Sequence, residues 1–399
     1  MGRVRELSHA VAADARGVAP LLGVPAARCE RALGALEALP LARALLVRNR
    51  GRVVGYLELH ARPEGTCGWA ARISALALDP DHGPVRAGRM LVAAADAEAA
   101  LLGCERILLE PGAASRDVAE LGPAIGLERR PGGGGGRTVE YGRADSPVER
   151  FLRAAARGAA DVLGVVGAAS LDVPLDDPHG SRLDVAADDA MLAQLEPLGI
   201  PVLSEESGLT GQAPGDGYWI SVDPLDGTRN CASRYAPWAT SIGLLRGGRP
   251  VAGLVVDLAT GRRWWAAASV GARVDGIVPR PRSGGLLVLP STEAHRLPVL
   301  PEDVGFTRVR IAGATSIDLC RVADGSASAF LDLDRAIAQT HDVAAAMAVL
   351  EAVGATVLDE HGRPPRIEPD VDRHYRIVAA ASESEATALL AAALAARTR

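Results

Sequence analysis

Lysine is absent from the chain; every one of its 43 basic residues is arginine. That removes Schiff-base chemistry and the lysine of a nucleotide-binding P-loop. Aromatic residues make up only 3% of the sequence. Cysteine is sparse: Cys29, Cys67, Cys104, Cys231 and Cys320 are odd in number, scattered, and form no C-x-x-C pair. Reduced thiols in a cytoplasm are the expectation, and no zinc cluster is suggested. No stretch approaches the roughly 18 to 20 apolar residues that a membrane span needs, and the first residues lack an apolar signal core. The net charge of −6 leaves no excess of positive charge for binding a phosphate polymer. A soluble, untargeted, cytoplasmic protein that avoids nucleic acid and membrane is therefore expected.

What is present is 399 residues that are 48% hydrophobic and 23% charged, with 44 glycines and 26 prolines. That is enough for two or three globular units of ~100 to 200 residues, and it excludes disorder, collagen and a coiled coil. The run Gly132 to Gly136 after Pro131 marks a loop, because glycine is entropically costly inside an element. It lacks the G-K-[ST] ending of a phosphate loop. The linker is expected at 143–148, where Ser146-Pro147 begins an Ala-rich helix over Val148 to Val166. Two domains follow, 1–143 and 144–399.

In the first, Ala44 to Val47 and Arg52 to Leu59 flank Arg48-Asn49-Arg50-Gly51 and predict a β-hairpin. A strand over Ile73 to Leu78, a helix from Gly88 to Leu102, a strand over Arg106 to Leu109, a short helix over Ser115 to Ile125 and a strand over 137–141 complete a mixed sheet. Tyr56 and Glu58 are expected on its exposed face. The order, with Ala75 to Asp79 running toward Gly88-Arg89-Met90-Leu91, resembles the GNAT family of acetyl-CoA-dependent N-acetyltransferases. The resemblance implies a coenzyme A pyrophosphate site at Gly88 and Arg89, on backbone N–H groups at a helix N-terminus. Arg86 stands where that family writes a glycine, Pro84 removes a donor N–H, and Gly122 stands where it writes its acidic tyrosine. These departures favour a structural or substrate-shaping domain, with an acetyltransferase carrying a phosphate-binding accessory domain as the alternative.

The second domain places acidic clusters at strand ends and at a helix start. Ser204-Glu205-Glu206-Ser207 follows Ile200 to Leu203, Asp223-Pro224-Leu225-Asp226-Gly227-Thr228 follows Tyr218 to Val222, and Asp342 opens the helix from Val343. Ligand sites of α/β sheets lie at such strand ends. Pro224 fixes the turn and Gly227 permits close backbone approach. Hard oxygen donors without His or Cys select Mg²⁺, or Mn²⁺ in its place, which in turn suggests a phosphate substrate.

Ser204 to Ser207, the D-P-L-D-G-T-R-N run of Asp223 to Asn230, Gly271 to Gly276, and Gly313 to Cys320 with Ala323-Asp324-Gly325 together resemble the inositol monophosphatase superfamily over about residues 148–395. The fold this implies is a layered αβαβα sandwich, beside the mixed GNAT-like sheet. By the resemblance, Glu205, Asp223 and the Leu225 carbonyl would hold one cation, and Asp223, Asp226 and Asp342 a second. Glu205 and Thr228 would orient a metal-activated water for in-line attack. Gly227 and Thr228 would hold phosphate oxygens, and Thr315, Ser316 and Asp332 would face the substrate. Asp188 falls where the family writes V-T-x-x-D, and His341 replaces the tryptophan of W-D-x-A-[AG] as a supporting or packing residue. Phe330 to Arg335 before it is closer to members that also act on fructose 1,6-bisphosphate.

The expected activity is release of phosphate from a small sugar, cyclitol or related metabolite, with a 3′(2′),5′-bisphosphate nucleotidase as the rival. Asp176-Asp177-Pro178-His179 reads as an irregular loop, Trp264-Trp265 as a buried strand end, and Glu383 to Arg397 as a packing or dimer helix suited to a homodimer.

Overall fold

A computed structural model describes residues 5–37, 42–63, 69–102, 104, 106–110, 112–114, 120–125, 127–129, 139–143, 147–169, 181–212, 215–268, 271–275, 279–290, 305–333 and 336–397. The glycine run at 132–136, the linker residues 144–146, the loop at 176–179, Asp334-Arg335, Cys67 and Gly276 lie outside them. The chain forms two compact units that divide at Arg153 and Ala154, inside a helix spanning Pro147–Ala169.

The first unit holds a seven-stranded sheet in the order β1-β2-β3-β4-β5-β7-β6. Its strands are β1 Arg5–His9, β2 Ala42–Asn49, β3 Arg52–Pro63, β4 Trp69–Leu78, β5 Arg106–Leu109, β6 Leu127–Arg129 and β7 Val139–Arg143. All neighbours are antiparallel except β4 and β5. The expected hairpin is β2–β3, turning through Arg50 and Gly51 at φ 53° and 78°, the positive pair that a two-residue hairpin loop demands. The helix expected from Gly88 spans Pro84–Leu101 instead, since proline suits the first helical position and Gly83 precedes it at φ 70°. β1 and β6 had no signal long enough to read. The segment 122–125 is a 3₁₀ turn; 115–119 lie outside the described residues.

The second unit is layered. One sheet runs β14-β13-β12-β11-β10-β8-β9 and the other β16-β15-β17-β19-β18. The first comprises β8 Val202–Ser204, β9 Gly208–Thr210, β10 Tyr218–Asp226, β11 Ala239–Arg246, β12 Arg249–Asp257, β13 Arg263–Ala267 and β14 Gly271–Val274. The second comprises β15 Leu286–Leu289, β16 Arg308–Ile311, β17 Ala329–Asp332, β18 Thr356–Asp359 and β19 Ile377–Ala380. We label the helices α1 Ala15–Leu22, α2 Ala26–Glu37, α3 Pro84–Leu101, α4 Pro147–Ala169, α5 Ser181–Leu195, α6 Thr228–Ala232, α7 Thr315–Asp324, α8 Thr340–Ala352 and α9 Glu383–Arg397. Helices α7 and α8 pack between the sheets, α5 packs against β10, and α9 covers β18 and β19. This is the expected αβαβα sandwich. Trp264 and Trp265 are buried in β13 as read.

Helix α8 is buried continuously from Thr340 to Leu350 and is rich in alanine, which lets it lie close to the sheet. Two strand glycines make the approach possible. A Cβ on Gly253 would stand 2.4 Å from the Ala345 carbonyl oxygen, and one on Gly243 2.9 Å from the Ala345 nitrogen. Both contacts are to backbone that cannot swing aside. Gly253→Ala is therefore expected to destabilise the second unit by about 1–3 kcal/mol through overpacking, seen as a lower urea midpoint with unchanged slope. Because α8 carries Asp342 in its first turn, the same glycines set that carboxylate's depth.

Candidate active site

Strand β10 runs parallel to β8, with Val222 opposite Ser204, so the ends of both open on the same edge. The Glu205 N–H donates to the Val222 carbonyl at 3.1 Å, which seats Glu205 beside Asp223. Strand β10 continues through the motif, with a bulge between Asp223 and Asp226. A bulge re-aims side chains, and here Asp223 and Asp226 reach one place. Gly227 then turns at φ 87°, and a Cβ there would lie 3.0 Å from the Gly313 carbonyl oxygen. Asn230 Nδ2 donates to the carbonyls of Pro237 and Ala312, at 2.7 Å each. The motif's glycine and asparagine thus draw in the segment that begins α7.

The N-terminus of α7 meets Asp226. Its Oδ1 accepts the Thr315 N–H at 3.2 Å, and its Oδ2 accepts the Ser316 N–H at 2.8 Å and hydroxyl at 2.6 Å. Asp342 Oδ2 accepts the Gln339 N–H at 2.7 Å, and Asp223 Oδ1 the Leu225 N–H at 2.9 Å. Carboxylate oxygens of Asp223, Asp226 and Asp342, all buried, lie within 4.8 Å of one another; so do donor atoms of Glu205, Asp223 and His341.

Burial, then the charges of Glu205, Asp226 and Asp342, holds the Asp223 carboxyl well above its usual range. Burial raises Asp342 likewise, with Asp226 adding to it. Burial also raises Asp226, against the hydrogen bonds from Ser316 and Thr315. Glu205 is pushed up to about 7, burial first, with His341 opposing. Its side chain keeps 39% exposure, so solvent screens that shift more than those of the buried three. Like charges crowded out of water in this way call for a cation, and an all-carboxylate donor set fits a hard divalent one.

Asp184 joins the site from outside the motifs that carry the resemblance. The Thr228 hydroxyl lies 2.9 Å from Asp184 Oδ1 and 3.0 Å from the Leu225 carbonyl oxygen. Asp188, read at the V-T-x-x-D position, accepts the Ser204 hydroxyl at 2.5 Å. The two aspartates are one helical turn apart on α5 and face the same way. That spacing was the available signal.

The other expected residues are placed as follows. Gly227, Thr228, Leu225, Thr315 and Ser316 gather around Asp226, and the Thr315 and Ser316 amides are engaged by it. Asp332 is buried, and its Oδ2 accepts the N–H groups of Ile337 and Ala338 at 2.7 and 2.9 Å. Gly88 and Arg89 belong to the other unit. Gly88 sits in the second turn of α3, past the helix's free N–H groups, where a Cβ would stand 2.5 Å from Ile125 Cγ2. Arg89 Nε donates to the Ala124 carbonyl at 2.8 Å. Tyr56, expected on an exposed face, is 1% exposed and donates its hydroxyl to Glu58 at 2.5 Å.

Comparison with known proteins matches two separate stretches of the chain. The model of the inositol monophosphatase family matches residues 145–399, and that of the GNAT acetyltransferase family residues 22–122. A fructose-1,6-bisphosphatase/inositol-1-monophosphatase of Thermococcus kodakarensis is 31% identical over 204 residues, 50% of this chain and 77% of that protein. A 3′(2′),5′-bisphosphate nucleotidase, CysQ, of Escherichia coli O157:H7 is 30% identical over 226 residues, 52% of this chain and 89% of that protein. Among solved structures, a Pyrococcus horikoshii protein with similarities to inositol-1 monophosphatase superposes with a TM-score of 0.55 at 22% identity, covering 61% of this chain and 98% of that one.

Proposed function

We propose, from the premise that the chain belongs to the inositol monophosphatase family, that this phosphoric monoester hydrolase releases phosphate from a small sugar or cyclitol phosphate with the help of Mg²⁺. The observation that carries the reading is the convergence of buried Asp223, Asp226 and Asp342. These residues, with Glu205 and the Leu225 carbonyl, would hold the cation. A divalent cation bound there offsets charge on phosphoryl oxygens and acidifies water.

The protein's own groups then have separable roles. Glu205, at the exposed lip, and Thr228 orient the attacking water in line with the phosphorus–oxygen bond. Asp184 accepts the hydrogen bond of the Thr228 hydroxyl, so as that oxygen takes the water's proton its own passes to the Asp184 carboxylate. The N–H groups of Gly227 and Thr228 hold phosphate oxygens. Thr228→Val and Asp184→Asn are each expected to lower kcat by roughly 10²- to 10⁴-fold, as loss of positioned proton transfer does, with cation affinity unchanged. Equal losses in the single and double variants would show that they act as one unit; additive losses would separate them.

Sugar specificity follows the substrates named for the Thermococcus relative, fructose 1,6-bisphosphate and inositol 1-phosphate, rather than the adenosine 3′,5′-bisphosphate type named for the Escherichia coli one. What supports this is the sequence before α8, Phe330 to Asp332, with Asp332 in electrostatic reach of Asp342. A release assay over the three compounds tests it, and preference for the adenosine bisphosphate would favour the nucleotidase. The domain boundary at 143 and 144 belongs to the same reading, supported by the residues the family models match. For the N-terminal domain we infer a structural or substrate-shaping role. Gly88 inside α3 and Arg86 in place of glycine support it, and calorimetric binding of acetyl-CoA would overturn it. The free, buried Cys29, Cys104, Cys231 and Cys320 support a cytoplasmic location. No helix among the described residues is long and apolar enough to cross a membrane.

A further inference from the structure

The site contains one nitrogen that an all-oxygen cation site does not need. His341 is 2% exposed, although it opens α8 beside Asp342. Its Nε2 lies 3.6 Å from Glu205 Oε1, and its Nδ1 has no hydrogen-bond partner among the described residues. A buried imidazole normally has both nitrogens engaged, because an unpaired buried polar atom costs free energy. The backbone supplies a reason for the ring's position but not for its chemistry: the His341 carbonyl accepts the Ser241 hydroxyl at 3.1 Å, which would hold for any side chain there. The ring also points at the one carboxylate of the cluster that stays open to solvent. One ring nitrogen, one Glu205 oxygen and one Asp223 oxygen all fall within 4.8 Å of one another, and Asp223 is shared with the Asp226–Asp342 group.

We propose that His341 is itself a cation ligand, so that the Glu205–Asp223 position is a mixed nitrogen–oxygen site for a first-row transition cation such as Mn²⁺ or Co²⁺, while the Asp223–Asp226–Asp342 position keeps its hard, all-oxygen character. Imidazole adds affinity for transition cations and little for Mg²⁺, which prefers carboxylate, carbonyl and water oxygens. The expectation drawn from the sequence, an all-oxygen set selecting Mg²⁺, then holds for one position only. The inference rests on the metal-dependent reading above and refines which cation that reading requires.

The test is Mn²⁺ binding to the full-length, cation-free protein, followed by pulsed electron paramagnetic resonance of the Mn²⁺-loaded form. Wild type is expected to show nitrogen modulation from a coordinated imidazole. His341→Leu, which removes a buried polar atom and should fold, is expected to lose that modulation. Its affinity for the tighter Mn²⁺ should fall by at least the roughly tenfold that losing even a supporting group costs a metal site, with Mg²⁺ affinity unchanged. The wild-type signal stands by itself if the variant misfolds. Mn²⁺ binding without nitrogen modulation, at equal affinity in both proteins, overturns the His341 assignment and leaves the phosphatase reading intact. Failure of wild type to bind Mn²⁺ or Mg²⁺ at all overturns both.

Discussion

Asp342→Asn is expected to lower kcat/KM for phosphate release by on the order of 10³-fold or more while leaving the fold intact. A cation's several kcal/mol of transition-state stabilisation is lost when its cage loses a charge, and each ~1.4 kcal/mol is tenfold in rate. The substitution is clean, because Asp342 receives one backbone hydrogen bond, from Gln339, and an asparagine oxygen can keep it. The amide nitrogen then faces the cluster, where it repels a cation but also relieves carboxylate crowding. Cation-free Asp342→Asn should thus melt no lower than wild type.

Asp226→Asn makes the contrast. Its two oxygens receive three hydrogen bonds from the start of α7, and an amide can satisfy them only in part. It should lose activity as fully and also destabilise the cation-free fold by about 1 kcal/mol, the usual cost of a lost helix cap. Activity assays with Mg²⁺ and thermal melts of both variants distinguish the two. Turnover near wild type in both would contradict the site.

The second large effect is a coupling of pH, cation and stability. Asp223 and Asp342 bind protons more tightly folded than unfolded, owing to burial and to each other; Glu205 does so up to about 7. Groups with raised folded values contribute their full stability below the unfolded carboxylate range, about 4. That contribution is lost as pH rises through the folded values, since the folded state holds more protons than the unfolded one. The cation-free protein should therefore melt several degrees lower near pH 8 than near pH 5, at ~2–4 °C per kcal/mol for a unit of this size. Saturating divalent cation should reverse the slope. It binds the deprotonated cluster, and at 100-fold over its Kd it adds about 2.7 kcal/mol. Melting curves across that range, with and without cation, give the result directly. A cation-free midpoint that rises with pH would mean that the carboxylates are not crowded together.

Much of this was legible in the residues. The run Asp223 to Asn230 declares itself because its proline, glycine and paired carboxylates act within eight neighbouring positions. The β2–β3 turn and α9 are equally local. What escaped depends on distant partners. Asp184 matters because Thr228, on another element, reaches it. Tyr56 is buried because α1 and α2 pack over the strand that alternation alone would expose on that face. Gly243 and Gly253 read as weak points in strands until α8 lies against them. By resemblance Ser316 lies beside the substrate, and that its hydroxyl and amide bind Asp226 shows only once the elements are packed. The αβαβα order followed from family resemblance; which helix faces which strand required the packing itself.

One experiment bears on the central claim most directly: anomalous diffraction from crystals grown with manganese. The account predicts an anomalous peak bounded by the carboxylates of Asp223, Asp226 and Asp342. Carboxylates standing apart with no peak between them, in protein that still hydrolyses a phosphomonoester in the same buffer, would contradict it.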